Sequence, residues 1–192
     1  MRIPLAFIFG LILSVLFLMA TILSLFWVPY EVDKLNILER LKDPSYQYFL
    51  GTDHFGRDIF SMLLVGGQTS ISVALIAVGI GMLVGVPLGL LAAASRQSIW
   101  DEWIMRSNDL IFAFPSLVIA ILITAIFGPS AVNAIIAIGI FNIPVFARAT
   151  RGAALSIWTL DFILSARIAG KKSFRISVEH ILPNILSLLI VQ

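Results

Sequence analysis

Apolar residues fill long uninterrupted stretches of this chain, and its charges are confined to the segments between them. The first charge-free run, Ile3 to Tyr30, follows Arg2 and is 28 residues long. A bilayer core of about 30 Å needs roughly 20 mostly apolar residues in a helix, so the run predicts a membrane span near 5–27. A cleaved signal peptide would carry an apolar region of only about 7–15 residues before its cleavage site. Here the small residues around Ala20 are followed by more apolar chain, which favours a retained span.

The next uncharged run lies between Asp58 and Arg96 and is too long for one straight span. It divides into an interfacial approach, 59–67, and a span from Thr69 to Ala94. Gly79, Gly81, Gly85 and Gly89 recur along that span, a spacing that lets another helix come close. Glycine is also generally enriched in membrane helices, and the two readings stand side by side. A third run, Leu110 to Ala147, is interrupted by Gly128-Pro129-Ser130 and predicts two helices, near 103–127 and 131–149. The last apolar stretch, Ile185 to Val191, is too short to cross and reads as the start of a fifth helix cut off partway.

Composition agrees with this pattern. The 192 residues are 59% apolar and 12% charged, against about 45–50% and about 25% in a soluble domain. The predicted fold class is all-α, a polytopic membrane bundle of four complete spans with the start of a fifth. There is no cysteine, which excludes disulfides, thiolate metal sites and cysteine nucleophiles. The net charge of +2 gives no argument for nucleic acid.

Where the charges lie predicts the orientation. Segment 29–68 carries four cations against six acids, whereas segment 148–183 carries six against two. Basic loops stay cytoplasmic, which places 148–183 inside with Arg2 and Arg96, and 29–68 outside.

Four constellations rise above the hydrophobic background. The first runs Leu50-Gly51-Thr52-Asp53-His54-Phe55-Gly56-Arg57-Asp58 and on to Ser61. Gly51 and Gly56 permit tight turns, Thr52 or Asp53 can cap a short helix, and Arg57 can pair with Asp58. His54 beside Asp53 is too little for a metal site. The second is Asp101, Met105-Arg106, Asp109 and Phe114-Pro115. Arg106 and Asp109 share a helix face and are expected to neutralise one another, and Pro115 is expected to kink the helix. The third, Arg148-Ala149-Thr150-Arg151, reads as interfacial anchoring. The fourth runs from Asp161 through Ser165-Ala166-Arg167 and Gly170 to His180-Ile181-Leu182-Pro183. Ile157, Leu160, Ile163, Leu164 and Ile168 recur at helical spacing and predict an amphipathic helix that Gly170 ends. Lys171 then reads as a solvated charge, and Pro183 limits a second short helix. Such a basic helix could lie on anionic lipid or dock on a protein, and periodicity does not separate the two.

In this order, the constellations resemble the inner-membrane permeases of binding-protein-dependent ABC importers, most nearly the second, C-type permease of the peptide and nickel branch. That branch has Leu-Gly-Thr-Asp-x-x-Gly-Arg-Asp-x-x-Ser, matched by Leu50 to Ser61, and Asp-x-x-x-Met-Arg-x-x-Asp-x-x-x-x-Phe-Pro, matched by Asp101 to Pro115. Its cytoplasmic signature, Glu-Ala-Ala-x-x-x-Gly followed nine residues later by a hydrophobic-x-Leu-Pro ending, is matched at Ala166, Gly170, Leu182 and Pro183. Leu164 and Ser165 depart from the Glu and Ala of that signature, and His180 takes its hydrophobic position, as is usual in this branch.

The resemblance implies a domain order: a first span at 1–28, a periplasmic segment at 29–68, and a permease domain at 69–192 with a cytoplasmic coupling loop at 150–183. It implies that Ser165, Ala166, Arg167, Gly170, Lys171, His180, Leu182 and Pro183 form the coupling surface for a cytoplasmic ATPase. Gly51, Thr52, Asp53, Gly56, Arg57, Asp58, Asp109 and Pro115 are the other family positions. The implied partners are ATP-binding subunits, a second permease subunit, a periplasmic substrate-binding protein and the bilayer. No cofactor or metal is implied, and the protein is expected in the inner membrane as a multi-pass permease without chemistry of its own.

Family members usually have six spans, so a shortened chain is expected, and a remnant or assembly protein without transport activity is the alternative. A secondary transporter or channel should show charges at mid-span or an internal repeat, and neither is found. An enzyme is disfavoured because His54 and His180 lack catalytic neighbours and no nucleophile motif or phosphate-binding loop is present.

Overall fold

A computed structural model of the chain describes residues 4–192; Arg2, used above to orient the chain, lies outside the described residues. The chain divides into two compact units, residues 1–74 and 75–192. Helix α1 is Leu5–Ser24 and α2 is Ile59–Ala94, with a short 3₁₀ turn, Ile37–Glu39, between them. They are followed by α3, Ile99–Ala113; α4, Ser116–Phe127; and α5, Ala131–Ile157. The chain continues through α6, Asp161–Ile168; α7, Ser173–Ile176; a π turn, Ser177–Ile181; and α8, Leu182–Val191. Among the described residues the only bridge of β type is an isolated antiparallel pairing of Thr52 with Asp58. The all-α membrane architecture read from the sequence stands.

In the first unit, α1 inverts the burial pattern of a soluble helix. Its leucines and phenylalanines are exposed along the whole length, and its buried residues are Thr21 and Ser24. Each hydroxyl is satisfied within the helix, Thr21 donating to the Phe17 carbonyl (2.9 Å) and Ser24 to that of Thr21 (2.7 Å). Apolar side chains facing outward are stable only in an apolar solvent.

The expected division of 59–94 into approach and span does not occur. Residues 59–94 form one helix of 36 residues. The physical reason lies at its start, where the Asp58 carboxylate accepts the Ser61 N–H (2.8 Å) and hydroxyl (2.6 Å). That cap satisfies a first-turn donor and nucleates the helix at Ile59, ten residues before Thr69.

In the second unit the glycine series on α2 is a packing seam against α5 for three of its four members. A Cβ built on Gly81 would lie 2.6 Å from Asn142 Cβ, one on Gly85 2.8 Å from Phe146 Cβ, and one on Gly89 2.7 Å from Thr150 Cβ. Gly79 faces open space and belongs to the general enrichment instead. On α5, Gly139 takes Ile80 of α2 in the reverse sense, 2.8 Å from its Cδ1.

The third apolar run breaks more sharply than a kink. It consists of α3 and α4, inclined at 83° to one another across Phe114-Pro115. Pro115 has no N–H to continue the ladder and biases Phe114 to extended backbone, where it is found at φ −99°, ψ 134°. Ser98 caps α3 and Ser130 caps α5 (Ser130 Oγ accepting from Val132 N at 3.2 Å). Helix α5 continues eight residues past the expected boundary of 149, to Ile157.

Pro183 does not limit a short helix either. α7, the π turn and α8 form one helical run, Ser173–Val191, of 19 residues. The wide turn lets the Leu182 N–H bond to the Ser177 carbonyl, five residues back, so the ladder passes the proline ring without the usual clash. The helix assigned to Ile185–Val191 therefore starts at Ser173. By length and apolarity, four helices suit a membrane crossing, or five with the bent α3–α4 pair counted as one span.

Candidate functional site

Two regions collect the residues singled out by sequence. In the first unit, the segment between α1 and α2 folds around the motif Gly51 to Asp58. Gly56 adopts φ +75°, and a Cβ there would run into the Asn36 carbonyl, so glycine is required both for conformation and for space. The turn it closes brings Arg57 back to Asp53. Asp53 Oδ1 accepts the N–H groups of Phe55 (2.8 Å) and Arg57 (2.9 Å), while Oδ2 accepts Arg57 Nε (2.8 Å). The expected Arg57–Asp58 pair is absent; Arg57 pairs with Asp53, since adjacent side chains diverge whereas the turn folds residues four apart together. Thr52 caps no helix. Its hydroxyl joins two strands of the loop, accepting from Lys42 N (2.8 Å) and donating to the Glu39 carbonyl.

Partial burial raises the Asp53 pKa, but the hydrogen bonds from Arg57 and Phe55 and the Arg57 charge outweigh it and hold the carboxyl at about 2, below the ordinary 3.8. A depressed carboxyl stabilises the fold above its unfolded pKa, and that contribution is lost as pH falls through its folded pKa. The difference in thermal midpoint between the native chain and Asp53→Asn is therefore expected to be full at pH 5 and to vanish as pH falls from 3.8 towards 2. A difference that stays constant over that window would count against this role.

The second region lies in residues 75–192. Arg151 of α5 grips the buried Asp101 of α3 bidentately, Nε to Oδ1 at 2.7 Å and Nη2 to Oδ2 at 2.8 Å. One helical turn earlier on α5, Arg148 pairs with Asp109 of α3 and lies 4.4 Å over the Phe112 ring. The sequence reading paired Arg106 with Asp109. Instead Arg106 pairs with Glu102 (2.6 Å), the acid four residues N-terminal to it, which is the favoured orientation on a helix. Arg148 and Arg151 thus tie two helices together as well as carrying charge. Nothing short of knowing the α3–α5 packing would have paired residues 39 and 50 positions apart.

Beyond α5 the chain builds a compact module. Gly170, at φ +78°, ends α6 in a Schellman arrangement, with Lys171 N bonded to the Ala166 carbonyl (3.1 Å) and Gly170 N to that of Arg167 (2.9 Å). Ile163 and Ala166 of α6 join a core with Trp158, Ile176, Ile181 and Ile185, continuous with Val86, Leu90 and Phe146 of the membrane helices. Arg167 lies 4.7 Å over the Trp158 ring. Lys171 bridges to the next helix, 2.8 Å from Glu179 and 2.9 Å from His180 Nε2, and Arg175 pairs with the same Glu179.

Three expectations change here. The amphipathic stripe is only partly a core stripe, because Ile163 is buried while Leu160, Leu164 and Ile168 are exposed, Ile168 at 89%. Ala166, read as a small contact for a partner, is 9% exposed and faces its own core. Lys171 is held by two neighbours and is not a free solvated charge. Leu182 belongs to the run through the core, Pro183 is exposed beside it, and Ser165 is exposed on α6 with its hydroxyl on the Asp161 carbonyl (3.0 Å). The exposed residues of α6 are thus Asp161, Phe162, Leu164, Ser165, Arg167 and Ile168, with Gly170 exposed just beyond its end.

These residues define a helical membrane protein with an amphipathic module continuous with its spans. Residues 85–192 match the model of the binding-protein-dependent transport system inner membrane component family, and the chain belongs to that family. It is 40% identical over 183 residues, 95% of its own length, to the dipeptide transport system permease protein DppC of Alkalihalophilus pseudofirmus. It is 40% identical over 182 residues, 92% of its length, to the glutathione transport system permease protein GsiD of Pectobacterium atrosepticum. GsiD of an Escherichia coli O6:K15:H31 strain is also 40% identical, over 178 residues. The chain spans about 60% of the length of the first two relatives and 58% of the third. The kinship with binding-protein-dependent transport permeases read from the four motifs is therefore correct, and the chain is a multi-pass membrane protein of that family.

Proposed function

We propose that the chain acts as the permease subunit of an inner-membrane ABC importer for short peptides, driven by a separate ATP-binding subunit that seats on α6. The cargo follows from the relatives, which are permeases of dipeptide and glutathione systems. The observation that carries the mechanical part is the exposed apolar ridge of α6 on a module whose other face is fused to the membrane helices. A groove in a partner that takes Leu164 and Ile168 would push on α6, and α6 cannot move without Trp158, which caps α5, and Ile176 of the following helix. α5 in turn carries α2 through the glycine seam and α3 through the arginine pairs. Closure of the ATPase would thus reach the break at Pro115, and with it the wall of a path shared with a second permease subunit. Residues 29–68 then face the periplasm and a substrate-binding protein, and 150–183 lie inside.

The test uses exposed positions, since Ala166→Glu would damage the chain's own core. Ile168→Glu and Leu164→Glu, in a chain carrying the full length of its relatives, are expected to insert normally. Each is expected to lose co-purification with the ATP-binding subunit about tenfold or more, since a charge replaces an apolar anchor at an interface centre. Undiminished co-purification and uptake in both variants would remove the coupling role from α6.

A further inference from the structure

We propose that the cavity around Asp58 in the segment between α1 and α2 binds the charged ends of a short peptide, its ammonium group on the Asp58 carboxylate and its carboxylate on Lys34. The cavity has a volume of about 350 Å³ and is walled by Tyr30, Glu31, Lys34, Tyr48, Arg57 and Asp58. Liquid water occupies about 30 Å³ per molecule, so the space suits roughly ten heavy atoms, the size of a dipeptide of small residues.

The charges of the cavity are unbalanced in a specific way. Asp58 is 4% exposed. Its Oδ2 is used twice by Ser61, whereas its buried Oδ1 has no hydrogen-bond partner. The cation next to it in sequence is committed elsewhere, since Arg57 is held by Asp53. A buried carboxylate without a counter-charge is costly, and it is relieved by a donor that brings positive charge. Lys34 and Glu31, on the same wall, are in no ion pair among the described residues, so the cavity offers two acids, Asp58 and Glu31, and one cation. The acids suit the ammonium end of a zwitterion and Lys34 its carboxylate.

Two further features favour an ammonium group. The Tyr30 and Tyr48 rings stand 5.1 Å apart on this wall, and aromatic faces attract cations. The Tyr48 phenol is pushed up first by burial, then by Glu39 and Tyr30, and also by Asp58, against the opposing effect of Lys42, so the Asp58 charge is felt at this ring. Asp58 thus has two tasks, starting α2 with one oxygen and offering the other to a ligand.

The site rests on the peptide reading above, but binding can be measured without transport. Saturation-transfer NMR on the full chain in lipid nanodiscs would use L-alanyl-L-alanine, its N-acetyl derivative and its C-terminal amide as probes. The free dipeptide is expected to bind, and the N-acetyl derivative to bind about tenfold more weakly, the loss of one charge-assisted hydrogen bond. Asp58→Asn keeps an oxygen for the α2 cap and is expected to weaken the free dipeptide by the same factor. Lys34→Gln is expected to bring the free dipeptide down to the level of the amide and to leave the amide unchanged.

Equal binding of the free and acetylated dipeptides to the native chain would overturn the site. So would unchanged binding by Asp58→Asn, or no dipeptide binding at all, the result expected if Lys34 simply folds over Asp58. If Asp58→Asn does not fold, the native comparison of free and acetylated probes still decides. Dipeptide binding with the expected pattern, joined to a complete transporter that imports no peptide, would sustain the site and overturn the import reading instead.

Discussion

Gly85→Leu is expected to abolish accumulation of folded protein, while Gly79→Leu in the same helix is expected to be tolerated. A Cβ at Gly85 would press on the Ile143 carbonyl and on Phe146 Cβ at 2.8 Å. Neither can give way as the tip of a flexible side chain would, because one is backbone and the other is the base of a side chain that is 2% exposed. Overpacking a core costs about 1–3 kcal/mol and more where backbone must shift, and leucine adds three more carbons beyond the Cβ. The same helix face carries Gly81 and Gly89 against Asn142 and Thr150, so α2 and α5 would separate along several turns. Gly79 has nothing within 4 Å, and leucine there raises helix propensity by nearly 1 kcal/mol. Size-exclusion profiles of the two variants in detergent would read the contrast directly. A monodisperse Gly85→Leu peak at native yield would mean that the seam is not a close contact.

The seam also marks where the sequence was legible and where it stopped being so. The long apolar runs gave the spans, because a bilayer fixes helix length almost by itself. The turn residues 128–130 and Pro115 gave the breaks. Which of four glycines face a partner depends on the rotational setting of α2 against α5, which no single-chain pattern encodes. The start of α2 was missed for a local reason, since the Asp58 cap on Ser61 overrode an estimate based on span length. The π turn is local as well, its wider ladder passing a proline that reads as a terminator.

At the candidate site the motifs were legible as motifs and their partners were not. The turn chemistry at Gly56 and Gly170 followed from residue type, because both sit at positive φ. Ion pairing followed only where the partners were local. The sequence offered Asp58 and Asp109 as partners for Arg57 and Arg106, while the fold gave both arginines an acid four residues back. Ala166, expected on the coupling surface, packs into the chain's own core; a small residue fits a close partner contact and a tight core equally well, and residue type alone does not give the helix phase. The released acids were then free for distant work, Asp109 to reach Arg148 and Asp58 to line a cavity.

The pair between Asp101 and Arg151 has the next largest expected effect. Arg151→Met is expected to cost about 2–3 kcal/mol, below the roughly 3–5 kcal/mol of a wholly buried pair because the arginine side chain is 30% exposed. The loss arises from Asp101, whose side chain is 8% exposed and would keep only a long contact with Gln97 N at 3.3 Å. Arg106→Met removes a pair exposed on both sides and is expected to change stability by no more than about 0.5 kcal/mol. Replacing both buried partners, Asp101→Leu with Arg151→Met, leaves no stranded charge and is expected to recover more than half of the single-variant loss. Thermal unfolding of the native chain, Arg151→Met, Asp101→Leu and the double variant at one pH supplies the cycle. A double variant as unstable as Arg151→Met alone would show that the arginine acts through packing and not through its charge. The recovered double variant bears on the proposed coupling as well: with the Asp101–Arg151 tie gone, only the Arg148–Asp109 pair and apolar contacts join α3 to α5, and under the proposed import role uptake is expected to fall while folding holds.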